Sequence, residues 1–169
     1  MHSVFLILLV GLNNSYSGSI GYHFGFWDNW KGNGLKTELA YGLSGKRLGI
    51  DFGIDFSKLS FTKEGESFSF NDFCFGINPN IYISPDFPLK IGVFLDYTIL
   101  FGEFCEKWDT TKYPIKTLYL PGYGMNMKLG YPITEKFSLG LHCQYKTIYR
   151  FKNLNIFCLG FLLEYRNLK

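Results

Sequence analysis

The chain reads as all-β: an eight-stranded antiparallel up-and-down barrel of the transmembrane kind. Three observations lead there. Apolar and polar residues alternate with period 2 through segments of about ten residues, longer than the ~5–6 of a soluble strand and close to the ~9–11 that cross a bilayer when tilted. The connections alternate short and long, as in barrels with short turns at one rim and longer loops at the other. Charges and glycines share one strand face, while bulky apolar side chains fill the opposite one. A soluble barrel has its apolar residues inside; here they fall on the larger, convex face, which is hard to reconcile with solubility.

The chain has 169 residues, 47% hydrophobic and 20% aromatic, with a formal charge of +3. That is one domain's length. The Phe and Tyr content favours strands. A mean hydropathy of +0.02 argues against a helix bundle in a membrane but not against a barrel, where half of each strand is polar. The charge is too small, and basic runs too few, to indicate nucleic acid. Met1 to Leu12 resembles the apolar core of a secretory leader, and Ser15-Tyr16-Ser17 supplies small residues for cleavage after Ser17. The expected domains are therefore a signal peptide over 1–17 and a barrel over 18–169. Cys74, Cys105, Cys143 and Cys158 show no metal spacing and read as unpaired packing thiols.

Ser19 to Trp27 forms the first expected strand, and Asp28 to Gly34 a polar connection. The second strand alternates Leu35, Thr37, Leu39, Tyr41 and Leu43 with Lys36, Glu38, Ala40 and Gly42. Ser44-Gly45-Lys46 is a tight turn. The third sets Leu48, Ile50, Phe52, Ile54 and Phe56 against Gly49, Asp51, Gly53 and Asp55. Ser57 to Ser69 reads as a long polar loop. The fourth strand, Asp72 to Ile83, carries Pro79, which implies a bulge because proline cannot donate to the ladder. After Ser84 to Pro88, the fifth strand sets Leu89, Ile91, Val93, Leu95 and Tyr97 against Lys90, Gly92, Phe94, Asp96 and Thr98. Gly102 to Lys116 is the longest loop. Strands six and seven form a hairpin from Tyr119 to Tyr149 around Tyr131 to Glu135. The eighth sets Phe157, Leu159, Phe161, Leu163 and Tyr165 against Cys158, Gly160, Leu162, Glu164 and Arg166.

The polar face defines the first candidate site, a lumen charge network of Lys36, Glu38, Asp51, Asp55, Lys90, Asp96, Lys128, Lys146, Glu164 and Arg166. At about eight strands side chains just fill the interior, and charges there need partners. A salt-bridged lumen is favoured over an ion path. His23 and His142 also face inward and read as lumen hydrogen-bonding residues rather than metal ligands. No cofactor and no metal site are expected. The second candidate lies in the loops: Phe104, Trp108 and Tyr113 among charges suit binding anchors, or an interfacial girdle. Lys58 to Ser67 is a second charged loop candidate. Tyr22, Trp27, Tyr41, Tyr97, Tyr131, Tyr145 and Tyr165 read as girdle.

Gly130-Tyr131-Pro132-Ile133-Thr134-Glu135-Lys136-Phe137-Ser138-Leu139-Gly140-Leu141 resembles the strand-turn-strand unit of small eight-stranded outer-membrane barrels, of the kind that includes the OmpA transmembrane domain, OmpX and the opacity-type surface proteins. The final strand, with Gly160, Leu163 and Tyr165, resembles their assembly signal. The resemblance covers about Gly18 to Tyr165. It implies a bacterial outer-membrane location, contact with outer-membrane lipid and with the barrel-assembly machinery, and a non-enzymatic role in envelope integrity or adhesion, with a host or envelope ligand at the outer loops. Two alternatives stay open: a lipid-A-modifying barrel enzyme and a soluble lipocalin-like carrier. Lipid-A deacylase barrels place a Ser two residues after a His; here Gln144 follows His142.

Overall fold

The computed structural model describes residues 13–27, 30–45, 47–83, 89–101, 117–149 and 154–167. They form eight strands: β1 (Asn13–Trp27), β2 (Trp30–Ser44), β3 (Leu48–Lys63), β4 (Glu66–Tyr82), β5 (Leu89–Phe101), β6 (Thr117–Pro132), β7 (Phe137–Ile148) and β8 (Leu154–Asn167). Each pairs antiparallel with the next, and β8 pairs with β1, so the sheet is a closed barrel in chain order. Closure leaves no edge strand, so each strand has a neighbour on both sides, which is the condition for strands to stand in hydrocarbon.

The strands are longer than alternation suggested, and the extra length lies mainly at one end. β3 and β4 pair continuously from Leu48↔Ile81 to Lys63↔Glu66. The expected loop of 57–69 is therefore a hairpin, closed by Glu64 and Gly65 at φ 49° and 87°. Two successive positive φ values match the right-handed twist of paired strands, and Gly65 takes the second at no steric cost. Likewise Trp30 to Gly34 belong to β2, paired back onto β1 as far as Trp27↔Trp30. β1 begins at Asn13, five residues ahead of an expected mature start at Gly18.

The reason is a change of surroundings along the barrel. Around its middle, the exposed side chains are Ile20, Phe24, Leu39, Ile54, Phe75, Leu95, Met125, Leu141 and Phe161. Near the long-loop end the pattern inverts. Lys31, Asn33, Lys58, Ser60 and Thr62 point outward and are exposed, while Trp27, Leu59, Phe61, Phe70, Leu100, Leu120, Ile148, Leu154 and Ile156 point inward and form one buried cluster. The Phe61 and Phe70 rings stack at 5.6 Å. Apolar-out suits a wall in lipid; apolar-in suits a wall in water. The same inversion corrects Trp27, which is a buried lumen residue at 6% exposure rather than a member of the girdle.

Pro79 does not make a bulge. Ile77↔Leu95 and Asn80↔Gly92 keep one register on either side of it, and only the pairing at Asn78 and Pro79 lapses. The missing N–H removes ladder bonds without adding a residue. Pro121 sits where the β6–β7 ladder runs out, with its carbonyl accepting from Tyr149 N at 3.1 Å. Close approach of walls shows at Gly140, where a Cβ would overlap the Leu129 carbonyl; a small residue there lets β6 and β7 pack.

The turn after β6 is held by Thr134, whose Oγ1 accepts from Phe137 N at 3.0 Å and Lys136 N at 3.3 Å. Thr134→Val removes that acceptor and keeps the shape. The expected loss is about 0.5–1.5 kcal/mol, read from denaturant unfolding of the detergent-folded barrel.

Candidate functional site

The lumen has three layers. The loop-end layer is the apolar cluster. Below it lies a broad ionic layer, and near the short turns a smaller one. All ten residues of the candidate charge network point into the lumen.

In the ionic layers strand pairing puts like charges side by side. Glu38 lies directly across from Asp55, and Lys90 from Lys128. Adjacent like charges repel, so each needs a counter-charge from elsewhere. Lys36 Nζ answers the first pair, 3.3 Å from Glu38 and 3.0 Å from Asp55, and donates to Gln144 Oε1 of β7 on the facing wall. Lys128 reaches from β6 to Glu38 at 3.2 Å and Asp51 at 3.3 Å. Lys146 of β7 reaches Asp96 at 2.9 Å and Asp72 at 3.9 Å, and its Nζ lies 2.8 Å from Cys74 Sγ. Near the turns Lys90 meets Glu164 of β8 at 2.6 Å, and Arg166 meets the same carboxylate at 3.1 Å. Most of these pairs cross the lumen and join strands that are not neighbours. Lys36, Lys128 and Lys146 are almost fully buried, so each ion depends on its partners for solvation.

Asp72 and Cys74 belong to this network although neither was among the candidate charges. Asp72 is 1% exposed and accepts from Ser57 Oγ. Cys74 Sγ lies 3.3 Å from Thr98 Oγ1. The signal was present, since both continue the polar face of β4, but a lone acid beside an expected loop carried no marker. Cys74, Cys143 and Cys158 are free thiols; Cys105 lies outside the described residues, as do Phe104, Trp108 and Tyr113. Most of the Lys58 to Ser67 stretch forms the ends of β3 and β4 instead of a free loop.

Among the described residues, His142 is the one imidazole that gathers a hydroxyl and a carboxylate. Its Nδ1 lies 3.2 Å from Ser19 Oγ and 3.8 Å from Glu38 Oε2. Both groups face the same nitrogen. A nucleophile relay holds the hydroxyl and the acid on opposite nitrogens so that a proton passes through the ring, and this arrangement does not. His23, 3% exposed, has neither ring nitrogen hydrogen-bonded within the protein.

No family model matches the sequence, and no curated protein matches it significantly. Solved structures do match its fold. Neisserial surface protein A (NspA) superposes with a TM-score of 0.63 at 12% identity, over 90% of this chain and 96% of that one. The fold is that of the small outer-membrane barrels. OprG from Pseudomonas aeruginosa matches with a TM-score of 0.61 at 9% identity, over 92% of this chain and 97% of that one. Ail, the attachment invasion locus protein of Yersinia pestis, solved with the heparin analogue sucrose octasulfate, matches with a TM-score of 0.52 at 10% identity, over 94% and 100%. At such identities the barrel is shared, and residue roles do not transfer.

Proposed function

We propose that this protein is a non-enzymatic barrel of the bacterial outer membrane that anchors surface loops for envelope integrity or adhesion. The observation that carries the reading is the pairing of two surfaces: an apolar belt on the outside of all eight strands and an ion-paired lumen within. Hydrocarbon is the solvent that accepts the first, and cross-lumen pairing satisfies the second. In this reading the lumen is plugged. The charged layers fill its centre, and the apolar cluster of Trp27, Phe61 and Phe70 seals the loop end, because a dry apolar constriction rejects ions. The short turns at Gly45 and Thr134 face the periplasm, and the opposite end of the barrel, where β5 ends and β6 begins, faces outward. Phe104, Trp108 and Tyr113, between β5 and β6, would meet a host or envelope ligand. That a solved barrel of this fold, Ail, was captured with a heparin analogue makes polyanions a sensible first probe. Export by a leader over 1–17, contact with outer-membrane lipid and insertion by the barrel-assembly machinery complete the proposal.

Membrane fractionation tests it. The protein should pellet with outer membranes and, unboiled, should migrate faster on a gel than after boiling, because a closed barrel resists detergent unfolding. N-terminal sequencing of that material should start at Gly18. Recovery as a detergent-free soluble monomer would overturn the reading.

A further inference from the structure

The outer wall carries charge in one place. By the alternation of the described strands, Lys31 of β2 and Lys58 of β3 are the only charged residues at outward positions. Both lie toward the long-loop end, on one wall. The register supplies their neighbours on the same face: Lys58 stands beside Asn71 of β4, Ser60 beside Asn33 of β2, and Thr62 beside Lys31. All of these are exposed except Asn71, which is half-buried. Among the described residues no carboxylate shares this face; Glu64 lies beyond it, exposed in the hairpin turn. The patch is doubly positive, rich in hydroxyl and carboxamide groups, and has no counter-charge of its own, so it complements an anion.

The surface below it narrows the kind of anion. Leu35 pairs directly with Lys58, and Phe56 and Phe73 are the next outward residues down β3 and β4. All three are exposed and form the top of the apolar belt. A water-soluble anion would engage the upper half of this surface alone. An amphiphile with an anionic head and acyl chains engages both halves, and a lysine at such a boundary rests its stem on apolar surface while its ammonium stays among the headgroups. On the β5–β6 wall the same rim is aromatic, with Tyr97 and Tyr119 stacked at 6.2 Å. Aromatics of that kind suit any lipid; the lysine wall selects by charge.

Spacing sets the size of the head. Lys31 lies across from Thr62, four residues along β3 from Lys58. At ~3.3 Å per residue and ~4.8 Å between strands, their Cα atoms are about 14 Å apart. That is far enough for each ammonium to take its own phosphate, with the hydroxyls of a disaccharide-sized head on Asn33 and Ser60 between them.

We propose that this wall holds one phosphorylated glycolipid of the outer leaflet, its phosphates on Lys31 and Lys58 and its acyl chains on Leu35, Phe56 and Phe73. The inference rests on the outer-membrane reading above and names the lipid class that reading left general.

The test uses the full folded barrel in neutral detergent, with retained lipid counted by native mass spectrometry. The probes are bisphosphorylated lipid A, its dephosphorylated form, and the bisphosphorylated disaccharide stripped of acyl chains. One bisphosphorylated lipid should be retained per barrel, and the dephosphorylated form should bind about tenfold more weakly or worse. Lys31→Gln with Lys58→Gln should weaken the bisphosphorylated lipid by about tenfold or more, at roughly fivefold per lysine beside an anionic headgroup. Arg47→Gln, at an exposed site by the short-turn end, should leave retention unchanged. Equal retention of the two lipids, or retention undiminished in the double variant, would overturn the proposal. The chainless disaccharide binding as tightly as the lipid would also overturn it, by making the partner a soluble polyanion. The gel shift and pelleting of the same proteins with outer membranes read the membrane location separately, so either inference can fail without the other.

Discussion

Lys36→Met should destabilise the barrel by about 3–5 kcal/mol, the range for removing one partner of a buried ionic group. Lys36 Nζ is the cation between Glu38 and Asp55, which strand pairing sets face to face. Methionine fills much of the same volume, so packing changes little and the effect is electrostatic. Two carboxylates would then repel at close range with less cationic support, and Gln144 would lose its donor. Unfolding in urea from phospholipid vesicles measures the loss. Adding Glu38→Gln and Asp55→Asn to Lys36→Met should recover most of it, because those groups are coupled and do not add independently. A loss below about 1 kcal/mol, the range of an exposed pair, would show that water screens this layer and that the lumen is open.

On the outer wall, Leu39→Arg should cost about 2–4 kcal/mol, the penalty for a cation facing lipid near the bilayer centre. Leu39 is 63% exposed and makes few contacts inside the barrel, so a soluble protein would accept arginine there with little change. Ser60→Arg supplies the contrast. Ser60 also points outward, near the loop end where the alternation inverts and Lys58 and Thr62 flank it on the same face. There the arginine should cost no more than about 1 kcal/mol. Folding free energies of the two variants in vesicles, set against the parent, read both values. Equal costs at the two positions would place them in the same medium and remove the membrane boundary between them.

Much of the architecture was legible because alternation has one meaning wherever one face is apolar. From Leu35 to Phe56, and again from Met125 to Leu141, side-chain chemistry alone assigned each residue to a wall face, and the short turns at Gly45 and Thr134 set the hairpins between them. Trp30 to Gly34 and the expected loop Ser57 to Ser69 depart from this for a single reason. Polar-in, apolar-out marks a strand only where its outer face meets lipid, and above the lipid that pattern reverses. Lys58-Leu59-Ser60-Phe61-Thr62 alternates as cleanly as any strand in the chain, but with the opposite phase. Asking only for period 2, without fixing which face was wet, would have found it. Pro79 misled in another way, because loss of a donor was equated with an added residue.

The charges divide along the same line. Alternation places Lys36, Asp51, Asp96, Lys128 and Lys146 on one face of their strands, since that depends only on the pleat. It says nothing about partners. Lys146 meets Asp96 and Asp72 because β7 faces β5 and β4 across a closed lumen, and Lys90 meets Glu164 for the same reason. Such contacts join residues as far apart as Lys36 and Gln144 and follow from strand stagger and closure, which are properties of the whole sheet. The apolar seal at the loop end has the same origin, with Trp27, Phe70, Leu120 and Ile156 arriving from separate strands. Local chemistry chose the strand faces and the turns; curvature and closure chose which side chains meet, because only a closed wall brings opposite faces within reach of one another.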